Sequence, residues 1–529
     1  MANQYDAIVI GAGHNGLCCA AYLAKAGQKV LVLERRHIVG GVTTTEEIYP
    51  GFKYSSCSYV SSLLRPWIIR DLDLPKHGYE ILPLESTFTP FPDGRYLLRD
   101  ADAEKTRRAV SAFSQRDAET YPQFGQAMSE LGRMVKPIID APTPLPTSIN
   151  PKDLLQTLRL GRHITGQGAD WMTGLLKLGT ASAVDLLSEW FESDYLIGPM
   201  SVSGIIGTHL GVRSPGTAYV LLHHYMGEID GSYRAWGLPK GGTGAIALAI
   251  ARSAESFGAT VKTAAPVSRV LVKNGRATGV VLENGDQFDA RIVVSGADPQ
   301  RTFLGFVGKE HLESDFVDQI ERFKMRGSSG KVNLALDRLP DFACLPGDGP
   351  HLRGDITIAP GVAYLERAYD DSKYGRYSRQ PFMDVVIPSL SDPTVAPPGK
   401  HVMSIFVQYA PYHIAEGPEN WPQQKEAFGD TVIDTLSEYI PNLKDIILHR
   451  YVLTPWDLEQ EYGLTEGNIF HGELSLEQLG FLRPAAGWAR YRTPLKDLWL
   501  CGSGAHPGGG IMGSPGALCA KAILEERSL

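Results

Sequence analysis

No cysteine pair in this chain stands at redox spacing. Cys18, Cys19, Cys57, Cys344, Cys501 and Cys519 are the six cysteines, and none forms a C-x-x-C or C-x-x-x-x-C pair. Electron transfer between a flavin and a disulfide is thereby excluded. Adjacent Cys18 and Cys19 fall inside the first expected helix and read as core filler. Also missing are H-E-x-x-H, zinc-type Cys/His spacing and a G-x-S-x-G elbow, so metallohydrolase and serine hydrolase chemistry have no anchor and no metal site is expected. The net charge of −8 comes without a polybasic cluster, which removes nucleic acid as a partner. No apolar run reaches the roughly 18 residues of a membrane span, although an apolar surface could still make peripheral contact. The first buried strand opens at about Tyr5, leaving no room for a signal or transit segment before it, so a cytoplasmic protein is expected.

What is present is an ordinary globular composition, 43% hydrophobic and 21% charged, in 529 residues. That length exceeds what one hydrophobic core supports, so two interleaved domains are expected. Tyr5 to Ile10 is an apolar strand ending in glycines, Leu17 to Ala26 repeats at helical spacing, and Lys29 to Leu33 is a second buried strand. This opening predicts an α/β, Rossmann-like dinucleotide-binding domain. Its later parts are read in "ATVKTAAPVSRVLVKNGRATGVVLENG", with hairpin turns at Asn274-Gly275 and Asn284-Gly285, in the buried strand of "ARIVVSGADP", and in the strand, glycine loop and helix that end the sequence. The cofactor domain is accordingly assigned to residues 1–75, 236–300 and 491–529. A substrate domain takes residues 76–235, including a helical insertion broken by "APTPLPTSINP", and residues 301–490, a mixed region of strands and helices.

The first loop, "GAGHNG", places Gly11, Gly13 and Gly16 in G-x-G-x-x-G spacing directly between strand and helix. Gly11 permits the tight turn, Gly13 lets backbone approach a pyrophosphate, and Gly16 lets helix and strand pack closely. The helix N-terminus offers free N–H groups to the anion. Glu34, at the end of the second strand, can accept from a ribose diol and repels a 2′-phosphate, which selects FAD or NAD over NADP. A second glycine pair, Gly40-Gly41, suits a cofactor with a longer body and turns the choice to FAD. The terminal loop "CGSGAHPGGGIMGSPGA" could place backbone against the flavin ring, with the last helix directed at it. "GGTGAIA" at 241–247 also fits a dinucleotide pattern, but "RAWGLPK" precedes it instead of a buried strand, so it is not read as an NAD site. His506, His223 and His224 are the candidate acid–base groups, none assigned, and the catalytic residue stays open.

Taken together, "VIGAGHNGL", "YLAKAGQKVLVLERRHIVGG", "GGTGAIALAIA", "PVSRVLVKNGRATGVVLENG" and "LWLCGSGAHPGGGIMGSPG" resemble the phytoene desaturase and carotenoid isomerase type of FAD oxidoreductase. A narrower likeness within that group, in "TEEIYPGFKYS", "SLLRP" and "GNIFHGELSLEQL", runs across nearly the whole chain. The resemblance implies FAD contacts from Gly11, Gly13, His14, Asn15, Gly16, Glu34, Arg35 and Gly41, from the backbone of Val267 at the adenine, and from Gly502, Gly504, Gly510 and Met512 along the flavin and ribityl chain. It also sets "SSCSY" against the flavin, where Cys57 reads as an inert buried thiol. The expected activity is hydride removal from substrate carbon onto flavin N5, desaturating an apolar small molecule, with oxygen or a quinone-like compound as electron acceptor. Trp171, Trp190, Phe191 and Tyr195 are taken as candidates to line a tunnel for it. Amine oxidation, flavin-dependent isomerisation and a non-enzymatic FAD-binding scaffold acting through protein partners are the alternatives, and the oligomeric state is left open.

Overall fold

The computed structural model describes residues 4–143, 154, 155, 157–159, 161, 162, 169–229, 231–233 and 235–527. From residue 144 onward the proline-marked loop lies outside them, as does the side chain of Trp171. Two seven-stranded sheets organise the rest.

The first sheet begins with strand Gln4–Ile10 and helix His14–Lys25, followed by strand Val30–Leu33, all four residues of which are buried. Such uninterrupted apolar runs mark strands covered on both faces, and each fully buried Val, Leu or Ile contributes roughly 1.5–3 kcal/mol. The parallel strands run in the order Thr260–Lys262, Val30–Leu33, Gln4–Ile10, Gln287–Ser295. Leu498–Leu500 pairs in parallel with the end of Gln287–Ser295, whose beginning pairs antiparallel with Arg276–Leu282. Asn274 and Gly275, at φ 52° and 68°, make the hairpin between Val267–Lys273 and Arg276–Leu282, since a tight hairpin turn of this hand needs positive φ at both central residues. Helices His14–Lys25, Gly244–Ser256 and Ser514–Arg527 pack together over this sheet. Strand Gly237–Pro239, just before "GGTGAIA", pairs with Ile81–Pro83 and takes no part in the sheet; a Cβ at Gly244 would stand 2.6 Å from the Thr45 nitrogen, so the glycine serves packing.

The second sheet, in the order Ile447–Leu453, Ser329–Leu336, His401–Gln408, Phe382–Val386, Asp355–Ile358, Ser86–Pro90, Tyr96–Asp100, is antiparallel except where Asp355–Ile358 meets Ser86–Pro90. Helices Ala103–Ser111, Gln115–Ile139, Ala183–Ser188, Asp194–Ser201 and Thr217–Tyr225 form the insertion. Asp102, Ser114 and Ser182 cap three of them, each accepting from the backbone N–H groups of the first turn. Trp190 and Phe191 pack on Phe124 at 5.7 and 5.1 Å between ring centroids, and Tyr195 packs on Phe91 at 4.7 Å. These aromatics hold the helices together and stay off the cavity wall described next, a correction to their expected place along a tunnel. Among the described residues no helix is long and apolar enough to cross a membrane.

Candidate cofactor and substrate site

A cavity of about 520 Å³ runs from the first glycine loop, between the two sheets, to an apolar end. Gly11 turns the chain at φ +91°, and a Cβ on Gly16 would stand 2.2 Å from the Gly11 carbonyl oxygen, so both glycines are required by the turn itself. At Gly13 a Cβ would meet nothing within 4 Å: that side of the loop faces open cavity. The first helix starts there without a side-chain cap, leaving its N–H groups directed at the cavity. Gly40 donates its N–H to the Ala12 carbonyl at 2.8 Å, which lays Gly40-Gly41 against the first loop.

Glu34 sits at the end of the second strand, 5% exposed. Its Oε2 accepts from the Ala12 N–H at 2.8 Å and its Oε1 from the Arg36 N–H at 2.9 Å. Each carboxylate oxygen keeps a further lone pair, enough for a ribose diol. The Ala265 N–H donates to the Glu34 carbonyl at 2.8 Å and so carries Pro266 and Val267 to the same stretch of wall.

Of the residues anticipated from sequence, Gly11, Gly13, His14, Asn15, Gly16, Glu34, Arg35, Gly41, Val267 and Gly510 line the cavity, while Gly502, Gly504 and Met512 do not. Ser503 and Ile511 take their place on the wall. Gly502 is pressed against Gly296, whose oxygen would lie 2.5 Å from an added Cβ, and Gly504 against Pro299 at 2.4 Å. Met512 is turned into the apolar core of the helical insertion. Arg483, fully buried, steadies this region by donating to the carbonyls of Phe470, Gly472, Glu473, Gln478 and Ser503, and burial draws its guanidinium down to about 9. The last helix reaches the first at Gly516, where a Cβ would collide with the Asn15 carbonyl oxygen at 1.9 Å.

Polar atoms on this wall lack protein partners. His14 Nε2, Asn15 Oδ1, Lys331 Nζ and His471 Nδ1 are buried with no hydrogen-bond partner among the described residues, and each such atom costs about 1–3 kcal/mol until something bonds it. A long ligand rich in donors and acceptors fits this wall. Burial, with His471 nearby, lowers His14 to about 3, so it meets a ligand as a neutral ring. His224 lines the cavity, but burial lowers it to about 4 and its Nδ1 is engaged with the Val220 carbonyl. Burial lowers His223 to about 3 and His506 to about 4, and both are tied to backbone carbonyls away from the cavity, so no acid–base role falls to either. Cys57 is a wall residue whose thiol burial pushes up to about 12, in keeping with an inert sulfur. All six cysteines are free.

Sequence reasoning set "SSCSY", with Tyr59, against the flavin but missed the rest of the cavity's apolar end, which includes Leu63, Ile206, Phe406, Ile469 and Phe470. It also missed Lys331, a 2%-exposed amine on the same wall, 4.7 Å from the centre of the Tyr59 ring. The one available signal was a lysine inside the apolar strand Ser329–Leu336.

A glycine-loop cradle on a Rossmann sheet, opening into an apolar chamber roofed by a second sheet, is the architecture of a flavin-dependent oxidoreductase. Comparison with known proteins agrees: residues 9–67 match the NAD(P)-binding Rossmann-like domain, and residues 166–513 match the flavin containing amine oxidoreductase family. The chain belongs to that family, and FAD is its cofactor. It is 40% identical to pyridine nucleotide-disulfide oxidoreductase domain-containing protein 2 of Rattus norvegicus, over 99% of this chain and 94% of that one. It is 26% identical to the lycopene-forming phytoene desaturase of Pseudescherichia vulneris, over 98% of each. An oxidoreductase structure from Methanosarcina mazei shares the fold with a TM-score of 0.61 at 19% identity, covering 99% of this chain and 100% of that one. The family resemblance expected from the sequence is confirmed.

Proposed function

We propose that the protein desaturates a neutral, apolar small molecule by removing a hydride from carbon, and passes the electrons to oxygen or a quinone-like acceptor. When bound, FAD supplies the hydride-accepting centre. The observation that carries this reading is the chemistry of the cavity's far end. Tyr59 and Phe406 stack on each other with centroids 5.6 Å apart, which closes the gap that a pair of rings flanking an amine would need. The phytoene desaturase relative, named for a hydrocarbon substrate, supports the same choice.

The test is anaerobic mixing of the FAD-loaded protein with neutral isoprenoid hydrocarbons and, separately, with primary amines. Loss of the oxidised-flavin absorbance with the hydrocarbons alone, and a product lighter by two hydrogens, is expected. Bleaching by amines alone would replace this reading with amine oxidation, and an unchanged substrate mass would point to isomerisation. A protein that retains FAD tightly yet turns over no donor would be a scaffold.

A further inference from the structure

Behind the apolar end of the cavity, one face of the second sheet carries ionisable groups to which hydride transfer alone assigns no task. The strand register sets Lys331 opposite Phe406, Phe406 opposite Asp384, and Asp384 opposite Thr357. Residues directly opposite across strands share a sheet face, and Asp355, two positions before Thr357, points the same way. Tyr59 lies over this row, with its hydroxyl donating to Asp384 Oδ2 at 3.1 Å. Thr357, directly opposite Asp384 in the register, donates its Oγ1 to Asp355 Oδ2 at 3.1 Å. Asp384 Oδ1, Asp355 Oδ1 and Lys331 Nζ are buried with no partner among the described residues.

Two carboxyl groups placed this way resist double ionisation, because like charges in a poorly solvated site repel strongly. Burial, reinforced by Asp355, holds Asp384 well above the ordinary carboxylate range. Burial raises Asp355 to about 6 against the opposing pull of Thr357 and Arg99. Burial draws the Lys331 amine down to about 7, against Cys57 and Asp384. The groups facing the pair are therefore Lys331, Tyr59, Thr357 and Arg99, and Cys57 faces Lys331.

We infer that Asp384 and Asp355 form a carboxyl pair that holds one proton between them and, together with Lys331, acts as the acid–base store of the cavity. The inference rests on the proposed desaturation. In that reaction a hydride leaves one substrate carbon, for which bound FAD would be the acceptor, and the electrons of the neighbouring C–H bond form the new double bond as its proton departs. The proton so released passes to the neutral Lys331 amine, and the single negative charge left on the carboxyl pair stabilises the ammonium. Asp384 and Asp355 are positioning residues here, since neither touches the cavity.

Infrared titration of the FAD-loaded protein without substrate tests the pair. A protonated-carboxyl band, shifted by deuterium exchange, is expected at neutral pH. It should be lost in Asp384→Asn, and its midpoint should move down in Asp355→Asn. In parallel, carbon NMR of labelled lysine should show one side chain titrating near pH 7 in the parent, absent from Lys331→Met and about one unit lower when Asp384→Asn and Asp355→Asn are combined, because only then is the pair's single negative charge removed. No such band, a band indifferent to both acid substitutions, or a Lys331 midpoint unmoved in the doubly substituted protein would overturn the inference. If Asp384→Asn does not fold, Tyr59→Phe serves instead: losing the hydroxyl must shift the band, and an unmoved band is equally fatal. Flavin absorbance measured on every sample keeps the two readings apart, because missing FAD overturns the oxidoreductase assignment while the titrations of the row are read without turnover.

Discussion

Replacing Gly13 with alanine should separate cofactor binding from folding. The backbone there, at φ −67° and ψ 161°, is an extended conformation open to any residue, and an added Cβ meets no atom within 4 Å. Stability without FAD should therefore stay within about 0.5 kcal/mol of the parent. The same methyl stands where a pyrophosphate must approach the N–H groups of the first helix. Losing one or two charge-assisted hydrogen bonds at about 1.5–3 kcal/mol each weakens FAD binding roughly ten- to ten-thousand-fold. Gly16→Ala gives the opposite signature. Its Cβ would lie 2.2 Å from the Gly11 oxygen, so the turn must move, and the protein should lose about 1–3 kcal/mol even without cofactor. Fluorescence titration of flavin-free protein with FAD, beside urea unfolding of the same samples, reads both quantities. Parent-like FAD affinity in Gly13→Ala would refute the placement of the pyrophosphate at this loop, whatever Gly16→Ala does.

Glu34→Ala strands the Ala12 N–H in a buried site and frees the Arg36 N–H, so flavin-free protein should unfold about 2–4 kcal/mol more easily in urea, and FAD retention after gel filtration should fall. Lys331 has a folded value of about 7 against an ordinary 10.5; between the two the unfolded chain carries a proton that the folded one has lost. Stability therefore rises with pH across that window, by up to about 1.4 kcal/mol per unit, and the contribution is smallest below pH 7. Lys331→Met should lack this slope, giving a difference of about 2 kcal/mol between the two proteins' changes from pH 7 to 8.5; parallel curves would refute it. Thiol titration of the native protein should label only half-buried Cys344, because the other five cysteines are buried, and alkylation there should leave FAD content unchanged; rapid labelling of two or more would contradict the packing.

The cofactor end of the site was legible because its chemistry is local. Gly11, Gly13, Gly16 and Glu34 lie within one strand–helix–strand unit, where spacing along the chain fixes position in space. The apolar end was not, because it is assembled by register. Nothing in residues 329–336 announces that Lys331 will face Phe406, or that Asp384 will stand one strand beyond. Both acids and the lysine read as interruptions of apolar strands until the pairing is known. Composition also misled in the helical insertion, where Trp190, Phe191 and Tyr195 turned out to be what binds helix to helix. In the terminal loop, glycine content announced a close approach but not its target: Gly502 and Gly504 lie against Gly296 and Pro299, leaving Ser503 to reach the cavity and bond Asn15 at 3.0 Å.

The first sheet takes strands from residues 4–33, 260–295 and 498–500, and the last helix rests on the first. On a ribosome this makes the glycine loop an early product with a late partner. Residues 11–16 emerge hundreds of residues before Leu498–Leu500 can close the sheet beside Gln287–Ser295 and before Gly516 can dock on Asn15. Domains made of consecutive residues can fold while synthesis continues, whereas this one must wait. A chain truncated ahead of residue 498 would hold the whole of the recognisable dinucleotide motif and still lack the strand and helix that pack beside it.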